Sequence, residues 1–342
     1  MSATVEDPRF EPDSSEADSA QAVAPRRRRR WPWVVVGLMS LVLVAWLVVR
    51  DTTPVGHFTS AENYDRFFTA YDRAMDDLPD PDATLDLRTE YGVVRMYRFD
   101  GANPEQAPLV LLPGRAAASP VWADNLASLR DLRTVYTIDL LGEPGASVQS
   151  RPITDDRDQA RWLHQALRQL PHESVDLVGM SIGGWTATNL AIHEPAGIGR
   201  VILLDPAMTF ASMPWETIVR SIPASVRWLP KSWRDSFNSW TAGGAPVEQV
   251  PVADMIEAGM QTYALKLPQP TQFGAEQLAG LPMPVLVILA GRSVMHDSAD
   301  AARHARETLS AGTVLVYPEA SHAINGEYPD RIAADIGEFL RT

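Results

Sequence analysis

Gly179-Met180-Ser181-Ile182-Gly183 is the stretch that most narrows the folds open to this chain. It follows the apolar run Val175-Asp176-Leu177-Val178 and precedes Gly184-Trp185-Thr186-Ala187-Thr188-Asn189-Leu190. That order reads as a buried strand, a glycine-flanked serine and a helix. A serine on so sharp a turn has an exposed hydroxyl and a strained backbone. Only small residues fit two places before and after it. The start of the helix points free N–H groups at any negative charge that forms beside the serine. An ordinary strand–turn–helix with a capping serine would show the same letters, so the rest of the chain has to decide.

Several function classes are excluded at once. The net charge is −13 and the only lysines are Lys231 and Lys266, which argues against nucleic-acid binding. There is no cysteine, which removes disulfides, thiolate catalysis and cysteine-based metal sites. No histidine or carboxylate cluster stands at metal-ligand spacing, and no dinucleotide glycine motif is present, so no metal or organic cofactor is implied. The 342 residues, 45% of them apolar, suffice for one large domain or two small ones with a real core.

The N-terminal fifty residues read separately. Residues 1–25 carry Glu6, Asp7, Glu11, Asp13, Glu16 and Asp18 with few large apolar groups, the composition of a disordered tail. Arg26 to Arg30 follow, then a charge-free run from Trp31 to Val49. At about 1.5 Å per helical residue that run just crosses a hydrocarbon core of about 30 Å. The expectation is therefore a disordered cytoplasmic tail over 1–30 and a single transmembrane anchor over 31–50. The arginines hold the N-terminus in the cytoplasm, which puts the C-terminal bulk outside the cell membrane. No small-x-small cleavage site follows Val49, which favours an uncleaved anchor over a signal peptide.

Residues 51–83 read as a juxtamembrane segment with a helix over 59–77, opened by a Thr59/Glu62 capping-box pattern and closed by Pro79 and Pro81. From residue 84 the pattern turns to strands alternating with helices. Candidate strands are 85–89, 93–99, 109–112, 135–140, 175–178, 201–204, 285–290 and 313–317. They predict an α/β fold with a mostly parallel eight-stranded sheet and helices on both faces. Residues 206–280 interrupt the alternation with Trp215, Trp228, Trp233, Trp240 and many prolines. They read as a helical cap over the sheet's C-terminal edge, where such sheets bind ligands.

A serine nucleophile needs a base, and the base an orienting acid. Of seven histidines, His164, His172, His193 and His304 sit in or beside helical patterns. His57 lies near the anchor and His296 in a loop. His322 alone follows the last strand, on the sheet edge that Ser181 occupies.

Residues 84–342 resemble the α/β-hydrolase fold family, above all bacterial carboxylesterase-like and haloperoxidase-like members with a helical cap. The resemblance rests on Leu111-Leu112-Pro113-Gly114-Arg115, Asp139-Leu140-Leu141-Gly142-Glu143-Pro144-Gly145-Ala146-Ser147, Gly179 to Gly184, Leu289-Ala290-Gly291 and Glu319-Ala320-Ser321-His322, in the family's order. It implies Ser181 as nucleophile, His322 as general base and an oxyanion hole from the backbone N–H groups of Ile182 and Arg115. The chain departs from the family at Pro113, where histidine is frequent, and at Val294, where the acid usually stands. Asp297, the nearest carboxylate in that loop, is the expected acid, and Asp205, ending strand 201–204, is the alternative. The expected activity is hydrolysis of a small carboxylic ester or related acyl bond, with a lipid-like substrate suggested by the anchor and the tryptophans. The same triad would serve a perhydrolase, a peptidase or a thioesterase. A catalytically weak binding protein is the reading that Val294 supports. The oligomeric state is not legible.

Overall fold

The computed structural model describes residues 35–40, 51–226 and 229–341. Contacts divide the chain into two units, Met1–Thr52 and Thr53–Thr342. Within the first, residues 35–40 are helical. The expected tail over 1–30 and the remainder of the expected anchor over 31–50 lie outside the described residues. Among the described residues no helix is long and apolar enough to cross a membrane.

The second unit runs β1 (His57–Phe58), α1 (Ala61–Met75), β2 (Ala83–Thr89), β3 (Gly92–Phe99), β4 (Leu109–Leu112), α2 (Ala123–Arg130), β5 (Val135–Ile138), β6 (Val148–Gln149), α3 (Asp156–Leu167), β7 (Val175–Met180), α4 (Ile182–His193) and β8 (Ile198–Leu204). It continues with α5 (Trp215–Ser225), α6 (Lys231–Thr241), α7 (Pro251–Thr262), β9 (Tyr263–Ala264), α8 (Ala275–Ala279), β10 (Val285–Ala290), α9 (Ser298–Thr308), β11 (Gly312–Tyr317), α10 (Ile324–Glu327) and α11 (Pro329–Phe339). The main sheet has the order β11-β10-β8-β7-β4-β5-β3-β2, with β6 added beside β3. β2, β3 and β6 pair antiparallel, whereas the run from β5 to β11 is parallel. These are the eight strands expected from the sequence, with short β6 as a ninth. β4, β5, β7 and β10 are buried at every position, which is why they read as continuous apolar runs and not as alternating ones.

Each face of the sheet carries its own core. One packs α3, α4 and α9 through Trp162, Leu163, Trp185, Ala301 and Ala305. The other packs α1, α2, α7 and α11 through Phe67, Tyr71, Leu126, Met255 and Ile336. The helix read as juxtamembrane is thus part of the same compact unit. Its cap is Ser60, whose hydroxyl accepts from the Asn63 N–H, and not Thr59. A buried polar knot ties it to the sheet. The Tyr71 hydroxyl donates to Asp139 Oδ2 at 2.8 Å and meets the Tyr97 hydroxyl at 2.8 Å. Asp139 also accepts from the N–H groups of Ser119 and Ala146 and from the Ser119 hydroxyl. Burial, then the Asp139 charge, pushes the Tyr71 phenol far up, so it stays a donor.

Asp176 marks the opposite end of the sheet from the ligand edge. It is fully buried on β7, its carboxylate oxygens find no hydrogen-bond partner, and Arg200 approaches only to 3.9 Å. Burial pushes its carboxyl up from 3.8 to about 6, against the pull of Arg200 and Arg133. Because the folded value is the higher one, this group's contribution to stability is complete below about pH 4 and lost as pH rises through about 6. Replacing Asp176 with Asn should therefore raise the free energy of unfolding of residues 53–342 by about 1–3 kcal/mol at pH 8 and change it little at pH 4. Urea titrations at the two pH values check this; an equal gain at both would refute it.

Candidate active site

The turn between β7 and α4 holds Ser181 at φ 53°, ψ −118°, a region that side-chain-bearing residues rarely adopt. The flanking glycines permit it. A Cβ on Gly179 would lie 2.4 Å from the Gly183 carbonyl oxygen, and one on Gly183 would lie 2.2 Å from that of Leu112. The helix start is therefore pressed against the end of β4, the neighbouring strand. Other positive-φ residues gather at the same edge: Ala116 after β4, and Asp205 and Met208 after β8. Backbone strain concentrated in this way is characteristic of functional sites.

His322 reaches this serine from the loop after β11, across 141 residues of sequence: its Nε2 stands 2.9 Å from Ser181 Oγ. Its Nδ1 stands 2.6 Å from Asp205 Oδ2. With Nδ1–H donating to the carboxylate, Nε2 is left to accept from the serine hydroxyl. The histidine loop is clamped. The Ser321 hydroxyl and N–H donate to Glu327, and the His322 N–H donates to the Thr241 carbonyl at the end of α6.

The acid position corrects the expectation. Asp297 is exposed and caps α9, accepting from the N–H groups of Ala299 and Asp300 at 3.0 Å each. It does not meet His322. Asp205 does. Its Oδ1 also accepts from the Ala290 N–H at 2.9 Å, and its Oδ2 from the Ser293 hydroxyl at 2.6 Å. Both signals were present in the sequence. Asp297-Ser298-Ala299-Asp300 has the pattern of a helix N-cap with an acidic first turn. Asp205 ends the wholly apolar run 201–204, where a carboxylate is buried and so must have partners.

His296 is the residue that sequence reasoning passed over as a loop histidine. It is buried, and its Nε2 lies 3.0 Å from Asp205 Oδ1, a close polar contact without the alignment of a hydrogen bond. Asp205 is thus flanked by two imidazoles. Burial alone would push its carboxyl up. The contacts from His296 and His322 outweigh that and hold it far below the ordinary carboxylate range, so it stays ionised.

The two residues expected to supply N–H donors both stand next to Ser181. Ile182 is the first residue of α4, so its N–H has no acceptor within the helix. Arg115 follows Gly114, at which a Cβ would stand 3.6 Å from that of Ser181. The Arg115 loop is fixed by buried Glu143, which accepts from Arg115 Nη1 at 2.5 Å and from the Ala116 N–H at 3.1 Å. A cavity of about 10 Å³, room for a single water, sits beside these donors, lined by Trp162, Trp185, Leu267 and Pro268 among others. The elements between β8 and β10 cover this edge. The Thr217 hydroxyl of α5 donates to the Val294 carbonyl, and Gly259 of α7 packs on Pro144 and Ala116.

The chain is similar to known proteins over most of its length. The chain is 23% identical over 291 residues to a carboxylesterase of Bacillus subtilis, YbfK, covering 83% of this chain and 96% of that one. The solved naproxen esterase of the same organism superposes with a TM-score of 0.75 at 21% identity, over 82% of this chain and 99% of the other. A bacterial membrane phospholipase A superposes with a TM-score of 0.61 at 17% identity, over 91% and 98%. The profile of the alpha/beta hydrolase family matches residues 109–335, within which the strained serine, Asp205 and His322 all fall. The chain belongs to the alpha/beta hydrolase family.

Proposed function

We propose that this protein is a carboxylesterase-type serine hydrolase that works through an acyl-serine intermediate, and that residues 31–50 anchor it in the cytoplasmic membrane with the catalytic unit outside. The observation that carries the chemistry is the Asp205–His322–Ser181 chain, at 2.6 Å and 2.9 Å. The similarity to YbfK over nearly its whole length supports an ester as substrate. The anchor reading rests on the uncharged Trp31–Val49 run and the five arginines before it.

The steps follow from the atoms. His322 Nε2 takes the proton as Ser181 Oγ attacks the ester carbonyl carbon. The negative charge that develops on the carbonyl oxygen falls toward the N–H groups of Ile182 and Arg115, aided by the N-terminus of α4. Ionised Asp205 holds the imidazole in the tautomer that accepts at Nε2 and stabilises it once it is charged. Collapse expels the alcohol with the proton from His322. A water deprotonated by the same nitrogen then attacks the acyl carbon, and His322 returns the proton to Ser181 Oγ as the acid leaves. The case for an inert binding module came from Val294, and Asp205 removes its ground by supplying a carboxylate from the neighbouring strand.

Replacing Ser181 with Ala should abolish turnover of p-nitrophenyl butyrate, a loss on the order of 10⁶-fold, and covalent labelling by a fluorophosphonate probe. Full activity in that variant would sink the assignment. Asp205→Asn should cost about 10⁴-fold in kcat, as expected for loss of the orienting acid, and Asp297→Asn less than about threefold. The reverse order would restore Asp297. The full chain should remain in the membrane pellet after alkaline carbonate extraction, and protease added outside spheroplasts should digest its C-terminal unit. Release into the supernatant, or protection of that unit, would overturn the anchor or its orientation.

A further inference from the structure

Helix α5 is built inside out for a protein in water. Trp215, Ile218, Val219 and Ile222 follow one another at i, i+3, i+4 and i+7, the spacing of a single helix face. In a surface helix that face normally turns to the core. Here it turns outward: the four are 76%, 53%, 51% and 51% exposed. Of its side chains described, the buried one is polar: Thr217, bound to the Val294 carbonyl. Arg220 pairs with Glu216 and lies over the Trp240 ring of α6 at 4.8 Å. On α6 itself, Trp233 is 55% exposed while its neighbour Arg234 is buried in an ion pair with Glu257 of α7. An apolar surface of this kind needs a partner.

The chain's connectivity says what covers it. The uncharged run ends at Val49 and the folded unit begins at Thr53, so the connecting residues span at most about 15 Å. The chain joins the fold through β1, which pairs with β9 at the C-terminal end of α7, and the Thr59 N–H donates to the Thr262 carbonyl. The tether is thus attached to the insertion that carries α5 and α6. That insertion also carries little of the chain's negative charge to repel it from a bilayer. Residues 206–280 hold five basic and six acidic side chains, in a chain of net charge −13, and both lysines fall within them.

We infer that the outward face of α5, with Trp233, lies in the interfacial layer of the bilayer and turns the Ser181 edge toward esters held there. The occupant is a lipid surface. This rests on the anchor reading above and adds to it a second, independent contact with the membrane. α5 joins the loop after β10 through Thr217, and α6 joins the His322 loop through Thr241, so a bilayer against these helices lies next to the catalytic edge. The substrate class that follows is an ester with a long acyl chain presented at a lipid–water interface.

The absence of cysteine makes the test direct. Ile218→Cys on α5 and, as control, Glu307→Cys on α9 each supply one thiol for a polarity-sensitive fluorophore. Each is prepared in the full chain and in residues 53–342, a compact unit with its own cores. Vesicles contain phosphatidylethanolamine and phosphatidylglycerol, with or without nitroxide-labelled acyl chains. The expected result is a blue shift and nitroxide quenching at position 218, with none at 307. If the full chain floats with the vesicles while the 218 label stays open to aqueous iodide, the inference is overturned and the anchor stands. If residues 53–342 dock through position 218 but the full chain shows no carbonate-resistant insertion, the anchor alone falls. If neither occurs, both fall. A 218 label shielded before vesicles are added, with the mass of a dimer, would assign the face to a second copy and overturn the inference. The double variant Ile218→Ser/Val219→Ser should keep turnover of p-nitrophenyl butyrate, which also reports correct folding, and lose about tenfold in turnover of a long-chain ester embedded in vesicles. Equal loss on both substrates would count against it.

Discussion

The close approach of α4 to the end of β4 is the constraint on which the site depends. Gly183 has no room for a Cβ because the Leu112 carbonyl oxygen stands where it would go, and Gly179 is closed off in the same way by the Gly183 carbonyl. These contacts force the chain to turn within one residue, and that residue is Ser181, at positive φ. The strain is sustained by two large cores on either side of a sheet whose central strands are fully buried. A flexible loop could not hold a hydroxyl 2.9 Å from an imidazole that comes from the far end of the chain. The same rigid edge carries the main chain of Ile182 and of the Gly114–Arg115 loop next to Ser181.

Electrostatics at this edge work by over-determination. Asp205 is removed from water, which by itself would favour its neutral form. Two imidazoles, a serine hydroxyl and a backbone N–H converge on it, and together they keep it charged. Glu143 performs a similar service for the Arg115 loop, where a buried carboxylate fixes both a guanidinium and the Ala116 N–H. Asp176 at the other end of the sheet shows the contrast. It has the burial with only a distant ion pair to Arg200 and no side-chain hydrogen bond, and its carboxyl rises instead of falling. Partners, and not burial alone, separate an ionised acid that can orient a base from a carboxylate that only costs stability.

The insertion links the chemistry to the chain's N-terminal half. α1 and β1, which precede the sheet, bind α7 and β9, which lie within the insertion, so the segment leading from residue 53 is built into the covering of the active edge. The Arg234–Glu257 pair gives that covering an internal fastener that leaves its outer apolar side chains free to face outward.

Much of this was legible without coordinates. The central parallel strands were legible as continuous apolar runs because they are buried on both faces, the antiparallel β2 by its alternation, and the turn at Ser181 by its glycine spacing because sterics there are local. His322 was legible because it alone followed the last strand. Other features were not, for definite reasons. The acid was misplaced at Asp297 because family spacing points to the β10–α9 loop. Which of two carboxylates meets a histidine is decided by strand pairing, and β8 lies beside β10 only in the folded sheet. His296 carried no local signal, since its role is to stand against a side chain 91 positions away. The outward face of α5 was not legible, because periodicity can show that a stripe exists and not which way it turns. By itself, then, the sequence determined the fold class and singled out Ser181 and His322, which follow from short-range sterics and strand order. Only the tertiary structure decided which carboxylate meets His322, which second imidazole stands against it and the direction of the apolar helix face, because each depends on which distant segments pack together.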